Sequence, residues 1–381
     1  MISRAAKSFP ETAIPPLTMQ AVRTICYRIH HVNSPVFDSK EATLAELVGT
    51  SPVLFVVDDY IWSQYQREIT AYAEKYLWCV GVHCISGNEK SKNLEAVSFL
   101  CQAADAAKLP RNGLIVGVGG GVVLDVAGFA AAIYRRGIAY VRVPTSLIGL
   151  VDVGIGIKHG VNYCGKKNLL GSFFPPLACV NDKRFLRSLP HRHLAAGIAE
   201  IVKMALVADP ELFGLLEEFG AVLVESRFQS LPAVADEVLY RAEIAMLDEL
   251  APNLFESDLK RFSDFGHTFG PKLEMESDHS LVHGEAVALD MLVSVAIGIQ
   301  QGLCDASLLA RMFDVYRSVG LPTESRLLEP ALLMVAVSEA QAHRAGALNL
   351  VTPTSIGSAV FLQNISLAQV EGALRIIRDF N

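Results

Sequence analysis

The chain has 381 residues, and 51% of them are hydrophobic, which is enough to form one or two well-buried cores. Its formal net charge is −7, so a general electrostatic attraction to nucleic acid or to an anionic membrane is excluded as the basis of its function. The longest apolar run, residues 286–299, is interrupted by Asp290 and is shorter than the ~20 residues that a membrane-spanning helix needs.

The N-terminal residues 1–18 contain three prolines and lack the apolar run of a secretory signal, so we expect a loose leader there. The seven cysteines are scattered without a CxxC pair, which indicates neither a zinc knuckle nor a disulfide framework. Both observations predict a cytoplasmic protein.

Between about residue 20 and residue 185, short β-branched runs alternate with helical segments. The runs at 53–57, 114–118 and 139–143 predict strands, and strands separated by helices are typical of a parallel sheet. We therefore predict an α/β N-terminal domain with a Rossmann-like parallel sheet over residues 19–190.

After Pro190 the apolar positions recur with helical spacing, and strand-like runs are few. Residues 191–381 are predicted to form a mostly α-helical C-terminal domain, with a small hairpin or irregular excursion at 347–362. Ligands of such chains usually bind in the cleft between the halves, outside the carboxyl ends of the strands.

A glycine-rich turn, Gly119–Gly121, follows the predicted strand 114–118 and opens a helix. Without side chains the backbone can approach a pyrophosphate, and the helix N-terminus supplies N–H donors; close packing is the structural alternative. Asp125 lies four residues farther on, either facing a cofactor amide or acting as a helix N-terminal charge. Asp58, at the end of the strand 53–57, is equally suited to a ribose hydroxyl and to capping the next helix.

The second half contains one carboxylate and two histidines in helical or glycine-flanked contexts. Glu200 lies in GIAEIVK, His267 in DFGHTFG and His283 in LVHGEAV. One carboxylate and two imidazoles form a known catalytic zinc set that leaves positions open for substrate oxygens. Taken singly, each residue is more often a surface or satisfied polar group, and sequence separation does not show that the three meet.

The segment 136–168 concentrates polar groups among apolar neighbours, and lysines and arginines in an acidic protein suit phosphate binding. A solvated loop is the alternative. Asp152 and Lys158, however, lie in VDVGIGIKHGVN, which is unusually apolar for a surface loop.

Taken together, these segments resemble the dehydroquinate-synthase-like superfamily of sugar phosphate cyclases. The resemblance runs from the glycine turn through VRVPTSLIGLVDVGIGIKHGVN and then, in the family's order, AGIAEIVK, FGHTFGP and LVHGEAVALDM. It covers roughly residues 50–360 and implies a homodimeric enzyme that uses NAD+ and a divalent metal, Zn2+ or Co2+, on a small sugar phosphate.

The resemblance also implies roles for individual residues. The metal ligands would be Glu200, His267 and His283. The NAD-contacting positions would be Asp58, Glu89, Lys92, Gly119, Gly120, Gly121, Asp125, Thr145 and Ser146. The positions that touch both cofactor and substrate, or the substrate alone, would be Asp152, Lys158, Lys167, Asn168 and Lys203. Arg136 would reach the phosphate across the dimer interface.

Departures from dehydroquinate synthases concern the substrate. Pro271 replaces a second histidine, Met246 a lysine that binds the substrate carboxylate, and Asp264 an asparagine. The pair His343–Arg344 resembles the cyclases of sedoheptulose 7-phosphate, so Asp264 and His343 join the candidate catalytic residues. We expect cyclisation to a C7 cyclitol, 2-epi-5-epi-valiolone or an epimer, by transient oxidation, phosphate elimination, reduction and an intramolecular aldol reaction.

Other functions remain open at this point. A desmethyl-4-deoxygadusol synthase or a 3-dehydroquinate synthase would share the motifs. A glycerol-dehydrogenase-like oxidoreductase would share the architecture but generally has an aspartate in place of Glu200. A catalytically inactive binding protein is disfavoured because all the expected ligands and lysines are present.

Overall fold

The computed structural model describes residues 18–278, 280–344 and 346–381, without the side chain of His343. The predicted leader therefore lies almost entirely outside the described residues. The strands, in chain order, are Arg28–His31 (β1), Pro52–Asp58 (β2), Trp78–Ile85 (β3), Leu114–Gly119 (β4), Ala139–Pro144 (β5), Lys158–Tyr163 (β6), Lys166–Phe173 (β7), Ala178–Asn181 (β8), Leu350–Ser355 (β9) and Ser358–Leu362 (β10).

The α-helices form two groups, one interleaved with the strands of the first half and one after β8. The first group is Thr43–Val48 (α1), Asp59–Tyr76 (α2), Leu94–Ala106 (α3) and Gly121–Ile133 (α4). The second group is His191–Val207 (α5), Pro210–Glu225 (α6), Pro232–Leu250 (α7), Gly270–Glu276 (α8), His283–Gln300 (α9), Ala306–Val319 (α10), Pro330–His343 (α11) and Leu367–Phe380 (α12).

The main sheet has six strands in the order β1-β8-β5-β4-β2-β3, and every pairing in it is parallel. The side chains of strand β2 show that the sheet is buried on both faces. Val53, Phe55 and Val57 point into one apolar cluster, whereas Leu54 and Val56 point into another on the opposite face. This two-residue alternation, apolar on both sides, is typical of a parallel strand covered by helices on each face.

The predicted α/β sheet followed by a helical half is confirmed. The predicted strands at 53–57, 114–118 and 139–143 correspond to β2, β4 and β5, and the predicted excursion at 347–362 contains the antiparallel hairpin β9–β10. The sheet's last strand, β8, ends at Asn181, and the helical group begins with α5 at His191.

The helical half is built around α9, whose residues are buried from Gly284 to Gly298. It packs against α5, α8, α10 and α12. Among the described residues, no helix is long and apolar enough to cross a membrane.

Candidate active site

The direction in which successive strands are added to the sheet reverses between β2 and β4. The chain passes from β2 outward to β3 and then returns to place β4 on the other side of β2. At such a switch point the two following loops diverge and leave a crevice at the carboxyl ends of the strands, where α/β proteins bind ligands. Asp58 and Gly119, which end β2 and β4, lie at this crevice.

The glycine turn after β4 lies against the end of β5. The Thr145 amide donates a hydrogen bond to the Gly119 carbonyl at 3.0 Å, and a Cβ atom on Gly120 would lie 3.3 Å from the Ser146 hydroxyl. Helix α4 begins at Gly121 with no side chain capping its first N–H groups. These donors suit an anionic ligand at the predicted pyrophosphate position.

Asp58 caps the N-terminus of α2, which was one of the two roles predicted for it. Its Oδ1 accepts hydrogen bonds from the amides of Tyr60 and Ile61 at the start of α2. Its Oδ2 lies so close to Gly87 that a Cβ atom there would be 2.0 Å away. The ribose contact remains a prediction.

The residues after β3 form charge pairs that the sequence did not predict. Lys92 Nζ lies 2.5 Å from Asp125 Oδ2, and both side chains are largely buried. Glu89 accepts a hydrogen bond from Asn162 Nδ2 at 2.8 Å and lies 3.6 Å from Lys167 Nζ. Five polar residues therefore meet at α4, the helix that follows the glycine turn: Glu89, Lys92, Asp125, Asn162 and Lys167.

Glu200, His267 and His283 meet although they are far apart in sequence. One candidate ligand atom from each lies within 4.8 Å of the others. Glu200 is buried in the middle of α5, His267 precedes α8, and His283 is the first residue of α9. The fold thus brings the predicted triad together.

The two imidazoles are oriented by other groups. His267 Nδ1 lies 3.0 Å from the Phe265 carbonyl, which leaves Nε2 of this ring for the triad. His283 Nε2 lies 3.3 Å from Glu200 Oε1, and its Nδ1 lies 3.2 Å from Glu274 Oε2. Burial lowers the pKa of His267 to about 4, so this ring is neutral and able to bind a metal.

Asp290 holds the segment that carries His267. Its Oδ2 accepts hydrogen bonds from the amides of Thr268, Phe269 and Gly270, and its Oδ1 accepts one from Ser294. In the sequence this residue stands out only because it interrupts an apolar run. That interruption was the available signal, because a carboxylate within a buried helix needs hydrogen-bond donors.

Lys203 links the triad to Asp152. Its ammonium lies 2.6 Å from Glu200 Oε2, one turn away on α5, and 3.9 Å from Asp152 Oδ2. Burial opposes the charge on Lys203, but Asp152 and Glu200 raise its pKa above the ordinary value. The side chain is therefore a buried, charged ammonium beside the triad.

A chain of alternating charges runs from Lys158 to Arg344. Lys158 Nζ lies 2.6 Å from Glu256 Oε1, which also contacts Arg261. Asp264 lies 2.6 Å from Arg261 and 2.7 Å from Arg344. Burial favours the neutral acid, but the two arginines keep the pKa of Asp264 below its usual value. Arg261 was not among the residues predicted from the sequence, because its partners Glu256 and Asp264 come together with Lys158 only in the fold.

Arg136 and Asn168 are not joined to this cluster. Arg136 is exposed and makes no ion pair with the described residues, and Asn168 is exposed in the hairpin β6–β7 with its amide bonded to Asn162 Oδ1. The backbone of His343 ends α11, whereas its side chain lies outside the described residues. The predicted roles of these three residues stay predictions.

The donor set fits a divalent metal. Neither buried oxygen of Glu200 accepts a hydrogen bond of good geometry from the described residues, although Lys203 lies close to one of them. A buried carboxylate oxygen without such a donor, facing two imidazoles, is the arrangement expected of a ligand set. Two nitrogens and one oxygen are donors that Zn2+ and Co2+ accept.

Comparisons with known proteins agree with this geometry. The model of the 3-dehydroquinate synthase N-terminal domain matches residues 82–196, and that of the C-terminal domain matches residues 197–341. The chain is 40% identical over 373 residues to a 2-epi-5-epi-valiolone synthase from Actinomyces sp, covering 94% of this chain and 97% of that protein. It is 34% identical to a 2-epi-valiolone synthase from Actinosynnema mirum, covering 92% of each.

A solved structure gives the same comparison in three dimensions. The 2-epi-5-epi-valiolone synthase from Streptomyces hygroscopicus subsp. jinggangensis 5008, with NAD+ and Zn2+ bound, superposes with a TM-score of 0.91 and is 38% identical. The superposition covers 96% of this chain and 100% of that one.

Proposed function

Because the chain belongs to the 3-dehydroquinate synthase family, we propose that it is a sugar phosphate cyclase that converts sedoheptulose 7-phosphate into 2-epi-5-epi-valiolone with release of phosphate. The observation that carries this proposal is the triad of Glu200, His267 and His283 in a chain that is 40% identical to a synthase of that name. The identity to a 2-epi-valiolone synthase is lower, at 34%, which favours 2-epi-5-epi-valiolone over its epimer as the product.

The pocket is poorly suited to a substrate with a carboxylate. Met246 is buried among apolar side chains of the helical half, where dehydroquinate synthases place a cation. Pro271 lies in the first turn of α8 and offers no proton. The ionised Asp264 lies near His267 and Lys203 and would repel a second carboxylate. A neutral polyol end is therefore the better fit.

We assign NAD+ to the crevice at the ends of β2 and β4, and Zn2+ or Co2+ to the triad. When bound, NAD+ supplies a transient oxidation that is later reversed, and the metal supplies Lewis acidity to substrate hydroxyl oxygens. Residues 19–190 would form the cofactor-binding unit and 191–381 the unit that carries the metal ligands.

The chain's own residues would orient the substrate and handle protons. The Lys203 ammonium, held between Glu200 and Asp152, is placed to donate a proton to, or stabilise negative charge on, a substrate oxygen at the triad. Lys158 would stabilise charge from the other side, with Glu256 fixing its position. Asn168 and Lys167, on strand β7, would contribute polar contacts to the phosphate and the cofactor.

A homodimer in the cytoplasm completes the proposal. The exposed Arg136 has no ion-pair partner among the described residues, which suits a side chain that binds phosphate in the partner's site. Its backbone has a φ of +65°, an unusual conformation for an arginine that a functional placement would explain.

Metal uptake by the metal-free protein is expected to release a proton. Burial alone would lower the pKa of His283, but the carboxylates of Glu200 and Glu274 raise it to about 9. At pH 7.5 the ring is therefore protonated, and Nε2 must lose its proton before it binds a metal. Calorimetry in buffers of different ionisation enthalpy should give about one more proton per metal at pH 7.5 than at pH 10.

Water on the metal adds to this difference and does not cancel it, because aqueous Zn2+ has already lost a proton at pH 10 but not at pH 7.5. Equal proton release at pH 7.5 and pH 10 would contradict the assignment of His283 as a charged ring in the metal-free protein.

Phosphate release tests the proposed function directly. Purified protein supplied with NAD+ and Zn2+ or Co2+ should release one phosphate per sedoheptulose 7-phosphate consumed, without accumulation of NADH. NMR of the product should give the spectrum of 2-epi-5-epi-valiolone. Stoichiometric NADH with a simple alcohol would instead indicate a net oxidoreductase.

A further inference from the structure

Glu274 contacts both a proposed metal ligand and a proposed cofactor lysine, although the sequence placed it in neither set. It lies on α8 and is 4% exposed. Its Oε2 is 3.2 Å from His283 Nδ1, and its Oε1 is 2.5 Å from Lys167 Nζ. Each carboxylate oxygen therefore has one partner, and the two partners come from different halves of the chain.

The contact with His283 decides which ring nitrogen faces the triad. A carboxylate at Nδ1 accepts the proton there and directs Nε2 towards Glu200, whose Oε1 lies 3.3 Å away. Without that acceptor the imidazole would be free to rotate about its χ angles or to adopt the other tautomer. His283 opens α9 and has no other hydrogen-bond partner on Nδ1 among the described residues.

The contact with Lys167 holds the hairpin β6–β7 against the helical half. Lys167 is near the start of β7, and its other carboxylate neighbour, Glu89, is more distant at 3.6 Å. Glu274 itself is buried, with the imidazole at one carboxylate oxygen and the ammonium at the other. The buried carboxylate thus stays charged because it has both partners.

We propose that Glu274 is a positioning residue that orients His283 for metal binding and, through its second oxygen, ties Lys167 to the metal centre. This inference rests on the proposed function in so far as the triad binds a metal. Glutamine at this position would keep the shape but provide only one acceptor oxygen, which cannot serve both the imidazole N–H and the ammonium.

The test is the affinity of the metal-free protein for Zn2+ alone, measured by competition with a chromophoric chelator at several pH values, so that competition from the proton on His283 is separated from the affinity of the oriented ring. Glu274→Gln is expected to bind Zn2+ about 10–100-fold more weakly than the native protein, the usual loss when a carboxylate behind a histidine ligand is removed. The Co2+ absorption spectrum should also change, because the ligand field depends on the orientation of the ring.

Glu276→Gln is the matched control. It lies on the same helix, is exposed, and pairs with Lys272 at 3.0 Å, away from the triad. The control should bind Zn2+ within about twofold of the native protein. Glu274→Asp, which keeps the charge but is one methylene shorter, should bind metal better than Glu274→Gln but less well than the native protein.

The aspartate variant keeps the test decisive if the glutamine variant fails to fold. Native-like Zn2+ affinity in either variant would overturn the proposal. A native protein that binds Zn2+ but releases no phosphate from sedoheptulose 7-phosphate would refute the proposed function and leave the positioning role standing. Unchanged Zn2+ affinity in Glu274→Gln, with an active native enzyme, would refute only the positioning role.

Discussion

Replacing His283 with alanine is expected to abolish stoichiometric Zn2+ binding and to reduce phosphate release by at least ~1,000-fold. The substitution leaves one imidazole and one carboxylate, Glu200, whose buried oxygens lose a neighbour at 3.3 Å. Catalytic zinc sites typically need three protein ligands, so two would not retain the metal against a chelator. Metal analysis after dialysis and a phosphate-release assay would measure both effects.

A second histidine provides the control for this substitution. His193 is exposed on α5, the helix that carries Glu200, and it is not part of the triad. His193→Ala should retain one metal per chain and near-native activity. If His283→Ala retained stoichiometric metal, His283 would have to be removed from the ligand set.

Replacing Lys203 with methionine should separate catalysis from metal binding. The ammonium is buried between Glu200 and Asp152, and its removal takes away the group proposed to act on a substrate oxygen. We expect phosphate release to fall by about 100–10,000-fold, the range of a lost general acid or electrostatic stabiliser. Metal stoichiometry should be retained, because the three ligands remain and a competing cation is lost.

The same substitution should destabilise the metal-free protein. Removing the ammonium breaks the buried ion pair with Glu200 and leaves that carboxylate only the longer contact with the protonated His283, so the free energy of unfolding is expected to fall by about 3–5 kcal/mol. Chemical denaturation of the metal-free variant measures this change, with Lys75→Met, an exposed position on α2, as the control. Near-native activity of the Lys203 variant would show that its ammonium takes no part in the reaction.

The architecture was predictable from local patterns. Strand β2 is apolar on both faces, and the segments that became α5, α6 and α9 show helical spacing, so both halves could be assigned from periodicity. The two histidines of the triad were predictable from their positions beside glycines near helix starts, and Glu200 as a carboxylate within a helical segment. Its convergence within 4.8 Å depends on how three helices pack, and spacing along the chain does not contain that information.

The supporting residues were not predictable because their roles depend on partners distant in sequence. Glu274 looks like an ordinary helix glutamate until α8 is placed beside β7 and α9. Lys92 and Asp125 looked like separate cofactor contacts, and only the fold shows that they pair. Asp290 alone left a signal, since a carboxylate within an apolar run must find donors when it is buried.

The choice of substrate is the central claim, and a side-by-side measurement of phosphate release tests it most directly. Protein with NAD+ and Zn2+ would be given either sedoheptulose 7-phosphate or the carboxylate-bearing substrate of dehydroquinate synthases. Turnover of sedoheptulose 7-phosphate alone is predicted, because Met246, Pro271 and Asp264 offer no partner to a carboxylate. Turnover of only the acidic substrate would contradict this account and identify a divergent dehydroquinate synthase.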